Sequence, residues 1–181
     1  MATIFIFHGF GGSPEGNWIP WLTHELEAAG HTVIVPTFPH PEKPLLKEWL
    51  KEFSIYKEST DESAVLVGHS LGGSFALRYL EQAKLPVQAT FLVASVFGVM
   101  GNGTDAHITT FNVAPYDFPV IVQNGGDIHV VHSDNDPYIP LPLAEEGALN
   151  LMTAMDLIAG GEHFTTREFP ELRDMILATV I

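Results

Sequence analysis

The chain has 181 residues, 46% hydrophobic and 17% charged, with a formal net charge of −14 and no cysteine. This predicts one folded domain with a sizeable core. It excludes disulfides, a cysteine nucleophile and thiolate metal sites, and with only eight Lys and Arg it argues against nucleic acid or an anionic membrane surface as partner.

The N-terminal MATIFIFHGF has no positive n-region and no small-residue cleavage site. It reads as a first strand, Thr3–Phe7, rather than a signal peptide. No apolar run reaches the ~18 residues of a membrane span. The lack of cysteine fits a reducing compartment, and a cytoplasmic location is expected.

From Asn17 to Ala29, apolar residues at Trp18, Trp21, Leu22, Leu26 and Ala29 fall at helical spacing, and Gly30 supplies a stop. His31–Phe38 reads as a second strand. After a proline-rich loop, Pro44 opens a helix that buries Leu45, Leu46, Trp49, Leu50 and Phe53. Ala64–Val67 is a third strand, Leu71 to Ala83 a helix and Ala89–Ala94 a fourth strand. Residues 95–117, with Gly98, Gly101, Gly103 and Pro115, read as irregular. A short helix over Phe118–Gln123 precedes a fifth strand, Ile128–His132. Leu141–Leu149 reads as a helix, Ala154–Ile158 as a sixth strand, and Pro170 opens a last helix. The fold class is therefore α/β: a mostly parallel central sheet of about six strands with helices on both faces. Ligands of such sheets bind at the carboxyl ends of the strands.

The third strand runs into Gly68-His69-Ser70-Leu71-Gly72. This is G-x-S-x-G between a strand and a helix, the setting of a nucleophile elbow. Ser70 could also stand there as an ordinary N-cap. As a nucleophile it needs a general base oriented by a carboxylate, in the chain order serine, acid, histidine. His132-Ser133-Asp134-Asn135-Asp136-Pro137 follows the fifth strand, and Gly160-Gly161-Glu162-His163 follows the sixth. Asp136 is preferred to Asp134, because Pro137 restricts its backbone while Asp134 is suited to organise the turn. His163 is the candidate base, with His107 a distant alternative. His129 and His132 lie at odd spacing in one strand and face opposite sides, which argues against a shared metal site. His24, His31 and His40 read as structural or exposed. His8-Gly9-Phe10 ends the first strand. The Phe10 and Leu71 amides are the candidate oxyanion donors, with His8 holding the loop in shape.

Four ordered segments, HGFGGSPEGNWIPWL, LVGHSLGG, HSDNDPYIP and GGEHF, resemble the small α/β-hydrolases of the retinoblastoma-binding serine hydrolase (YdeN-like) family over nearly the whole chain. The resemblance implies an α/β-hydrolase fold, a Ser70-Asp136-His163 triad and serine hydrolase chemistry. The retinoblastoma-binding motif of the animal member contains cysteine, so that partner does not carry over.

Residues 95–117 leave little room for a cap domain, so a shallow, open site with a minimal cap or none is expected. Phe10, Trp18, Phe97, Phe111 and Tyr138 are candidates for an apolar wall near Ser70. The acidic surface favours a small neutral or cationic ester or amide. No cofactor or metal is expected. The alternative is a non-catalytic ligand- or protein-binding module on the same fold.

Overall fold

The computed structural model describes residues 1–180. In chain order the strands are β1 (Thr3–Phe7), β2 (Thr32–Ile34), β3 (Ala64–His69), β4 (Ala89–Val93), β5 (Asp127–Ser133) and β6 (Met155–Ile158). The α-helices are α1 (Ile19–Ala28), α2 (Leu46–Phe53), α3 (Leu71–Leu80), α4 (Thr109–Asn112), α5 (Phe118–Asn124), α6 (Leu141–Asn150) and α7 (Pro170–Thr179). All neighbouring strands pair in parallel, in the order β2-β1-β3-β4-β5-β6. Among the described residues no helix is long and apolar enough to cross a membrane.

The central strands are apolar throughout because both faces of the sheet are covered. In β1, Phe5 and Phe7 point into one core with Trp49 and Phe53 of α2, Phe75 of α3 and Ile121 of α5. Ile4 and Ile6 point into the other, beside Leu22 and Leu26 of α1 and Leu172 and Ile176 of α7. Val65 and Val67 of β3, with Phe91 and Val93 of β4, share this second core, so the period-2 geometry of strands sorts consecutive residues to opposite faces.

The chain runs from β1 outward to β2, then returns across β1 to β3 and proceeds to β6. The reversal falls between β1 and β3, and at such a switch point the connecting loops part to leave a crevice at the strand carboxyl ends. The loops after Phe7 and after His69 face each other there.

Three expectations are corrected. The second strand covers only Thr32–Ile34, because Pro36 has no N–H for an edge ladder. Leu45 is exposed rather than buried; its extended backbone places it at the N-cap of α2. Residues 95–117 carry a 3-10 segment, Gly103–His107, followed by α4. The device that orders them is a capping box, in which Asn102 accepts from the Thr104 amide while Asp105 reaches back to the Asn102 amide.

Candidate active site

Ser70 ends β3 with φ 54° and ψ −119°, a conformation unfavourable for any residue with a Cβ. Ladder bonds hold it there, its N–H donating to the Val93 carbonyl at 2.9 Å. Two flanking glycines let the chain turn so sharply. A Cβ on Gly68 would come within 2.5 Å of the Gly73 backbone, and one on Gly72 within 2.2 Å of the Phe7 carbonyl oxygen. Ser70 occupies the N-cap position of α3, yet its side chain makes no capping hydrogen bond. Ser70 lines a cavity of about 360 Å³ together with Phe10, Leu71, Tyr138 and His163.

The loops after β5 and β6 converge on this cavity. Asp136 Oδ1 accepts from the amides of Tyr138 at 2.8 Å and Ile139 at 3.0 Å. Its other oxygen, Oδ2, lies 2.8 Å from His163 Nδ1. A carboxylate can only accept, so Nδ1 carries the proton and Nε2 is left as the basic nitrogen. The Asp136 side chain is 1% exposed and that of His163 11%. Burial pushes the Asp136 carboxyl up, but the hydrogen bonds from His163, Ile139 and Tyr138 outweigh it and hold the group below its ordinary value.

The His163 loop is tied to β5 by side chains that flank Asp136. Ser133 donates to the Glu162 carbonyl. Asp134 Oδ1 accepts from the Gly160 amide and Asn135 Oδ1 from the Glu162 amide, each at 2.8 Å. Asp134 therefore organises the neighbouring loop rather than its own turn.

His69 had no assigned role in the sequence. Its Nε2 donates to the His163 carbonyl at 2.8 Å, and its ring lies 5.0 Å from that of His163. Burial, and next the proximity of His163, lower its pKa to about 4, so it is neutral across the physiological range. A polar residue inside an otherwise apolar β3 was the one signal that could have found it.

The Phe10 and Leu71 residues both border the cavity. Among the described residues, neither amide donates to a backbone acceptor outside a helix or strand. Leu71 is the first residue of α3, whose leading amides have no intrahelical partner. His8 Nδ1 donates to the Gly9 carbonyl at 3.0 Å and Nε2 accepts from the Phe38 amide at 3.4 Å, which fixes the loop that bears Phe10.

Of the five aromatic wall candidates, Phe10 and Tyr138 line the cavity, and the Tyr138 ring stands edge-on to His163 at 5.0 Å. Trp18, Phe97 and Phe111 do not. Trp18 is fully buried between His69 and Phe169, Phe97 lies against Gly147 of α6, and Phe111 packs on Trp49 at 5.2 Å. Their apolar area goes to the cores that cover the sheet. Ile139 and four residues of the 95–117 segment, Val96, Met100, Thr104 and Ile108, complete the wall. His107 is exposed, with its ring 5.7 Å from that of Phe10. His129 stacks on Phe91 while His132 donates to the Ile139 carbonyl on the other face.

The sequence profile of the family described as serine hydrolase matches residues 4–169. The chain is 28% identical to the hydrolase YdeN of Bacillus subtilis over 91% of its own length and 87% of that protein. It is 27% identical to serine hydrolase RBBP9 of Rattus norvegicus over 94% of this chain and 90% of that one. The crystal structure of the Bacillus subtilis ydeN product superposes with a TM-score of 0.94 at 26% identity, covering 99% of this chain and 98% of the other. Est1E of Butyrivibrio proteoclasticus, solved with ferulic acid bound, has a TM-score of 0.77 at 16% identity over 99% of this chain and 90% of that one, a likeness of fold.

Proposed function

The chain belongs to the serine hydrolase family, and from that premise we propose that it cleaves small neutral or cationic esters or amides through an acyl-enzyme. Ser70 is the nucleophile, His163 the general base and acid, and Asp136 the carboxylate that orients the imidazole. The observation that carries this reading is the 2.8 Å bond between Asp136 and His163, with His163 and Ser70 bordering one cavity and no capping bond engaging the Ser70 side chain.

A serine hydroxyl is a weak nucleophile until a base takes its proton. His163 Nε2 receives that proton as Ser70 Oγ bonds to the substrate carbonyl carbon. The carbonyl oxygen becomes an oxyanion and accepts hydrogen bonds from the Leu71 and Phe10 amides. Donors of this kind contribute about 10²–10³ each in rate. The imidazolium is stabilised by the Asp136 carboxylate, which stays ionised. Collapse of the intermediate breaks the bond to the leaving group, which departs with the proton from His163. Water then repeats the sequence on the acyl-Ser70 ester and releases the acid. The net charge of −14 disfavours the approach of anionic substrates.

A fluorophosphonate probe tests the assignment. Wild type is expected to label, Ser70→Ala to label not at all, and His163→Ala to label at least ~100-fold more slowly. Folded wild-type protein that does not label would overturn the reading in favour of a binding module.

A further inference from the structure

One wall of the cavity is built unlike the rest. Leu71 opens α3, Ile139 lies just before α6 and Val96 just past β4. Met100, Thr104 and Ile108 come from the segment after β4. A single carboxylate that does not itself line the cavity fixes that segment. Asp105 Oδ1 accepts from the Met100 amide at 2.9 Å and from Asn112 Nδ2 at 2.7 Å. Asp105 Oδ2 accepts from the amides of Gly101 at 2.7 Å and Asn102 at 3.1 Å. Asn102 then donates to the Tyr138 carbonyl at 3.1 Å, joining the wall to the loop that carries Asp136.

Gly98, Val99, Asn112 and Val113, from the two ends of the same segment, line a second cavity of about 490 Å³ against α5 and α6. Ile108 belongs to the buried core and Met100 packs against it, while the turn between them is held by the hydrogen bonds that Asp105 accepts. The front cavity, about 360 Å³, is near the small end of the ~300–1,000 Å³ range of ligand sites. No Lys or Arg lines it, so an anionic acyl group would find no Lys or Arg to offset its desolvation.

We propose that residues 100–108 form the acyl-selecting wall of this site, locked by Asp105, and that the wall restricts it to compact, uncharged, apolar acyl groups. The inference rests on the serine hydrolase reading of Ser70 and narrows it: the acyl part of the substrate is neutral and short.

The test compares kcat/KM for p-nitrophenyl acetate, butyrate, hexanoate, decanoate and hemisuccinate in the full chain. In wild type the value is expected to peak at butyrate or hexanoate and to fall at least tenfold, to about a tenth or less, for decanoate. Hemisuccinate is expected to fall at least about 100-fold below butyrate, because its carboxylate would be left without a charged partner in the cavity. In Asp105→Ala the decanoate-to-butyrate ratio is expected to rise about tenfold, and in Asn102→Ala about threefold. Asn102 is exposed, so its variant supplies the measurement if Asp105→Ala does not fold. Hemisuccinate turned over as well as butyrate, or a folded Asp105 or Asn102 variant with the wild-type ratio, would overturn the wall while leaving the triad standing. Wild type that neither labels with fluorophosphonate nor turns over any ester would sink both.

Discussion

Two carboxylates in this molecule are built to nearly the same plan and do different things. Asp136, in the loop after β5, and Asp105, in the 3-10 segment Gly103–His107, each accept backbone amides from residues within a few positions of themselves. In Asp136 the amides occupy Oδ1, leaving Oδ2 for His163. In Asp105 both oxygens are taken by the surrounding segment and by Asn112. A carboxylate whose acceptor sites are spent on its own loop can only hold that loop. One with an oxygen to spare can fix the orientation and tautomer of a histidine. Surroundings sharpen the contrast. Asp136 is enclosed at the carboxyl edge of the sheet, whereas Asp105 anchors the flap of residues 100–108 without itself lining the cavity.

The largest way to break this comparison is at the spare oxygen. Asp136→Asn is expected to lower kcat by about 10³–10⁴, because the amide favours the wrong imidazole tautomer. Asp134→Asn keeps an acceptor for the Gly160 amide, and its loss is expected to stay within about tenfold. A larger loss at Asp134 would reverse the assignment of the two residues.

A smaller effect is expected at His69, which lies against His163 and donates to its carbonyl. His69→Leu removes the donor to the His163 carbonyl, and a fall in kcat of about tenfold with KM little changed is expected. His69→Gln can place a donor near the same point and should recover most of the rate. If Gln is as impaired as Leu, His69 contributes only shape.

The flap side has its own anchor. Arg78 of α3 is buried and donates to the carbonyls of Phe111, Ala114 and Pro115 while pairing with Glu81. Arg78→Met strands those carbonyls, and a loss of about 2–4 kcal/mol in urea unfolding is expected. Fluorophosphonate labelling of the folded variant should remain within about threefold of wild type, since transition-state groups are untouched. A variant of unchanged stability would mean that the flap is held elsewhere.

The comparison also extends to stability in mild acid. His8, His69 and His132 all have pKa values below the ordinary 6.5, chiefly through burial. Unfolding lets each return to its ordinary value, so the unfolded chain binds more protons below that pH. The neutral-histidine contribution is complete above about 6.5 and is lost as pH falls toward the folded values. For His69, with a folded pKa of about 4, the contribution is on the order of 3 kcal/mol. Tm is expected to be flat above pH 7 and to fall from 6.5 toward 4, less steeply in His69→Gln. A Tm that does not change across that window would refute the buried-neutral assignment.

Much of the candidate site's layout could be read from the chain because its constraints are local. Gly68 and Gly72 flank Ser70 because a Cβ at either would strike backbone, and that demand appears as G-x-S-x-G between a strand and a helix. Asp136 before Pro137, and His163 after two glycines, stand where a parallel sheet delivers its loops. The flap was harder. Its glycines suggested irregularity, while the ordering signal was one pair, Asn102 and Asp105, that makes a capping box over a short 3-10 turn. The aromatic wall was the least legible part. Trp18, Phe97 and Phe111 are as apolar as Phe10 and Tyr138, and nothing in their neighbours in the chain tells which cover the sheet and which face the cavity.

The sequence by itself determined the α/β alternation, the elbow and the order of its partners, because steric demands at a turn and the period of a strand act over a few residues. Only the tertiary structure decided that His69 lies under His163, that Asp134 ties the neighbouring loop, and that Asp105 fixes one wall of the cavity. Each of those depends on side chains from separate elements arriving within hydrogen-bond distance, and that distance is set by how the sheet twists and its loops pack, which no local pattern encodes.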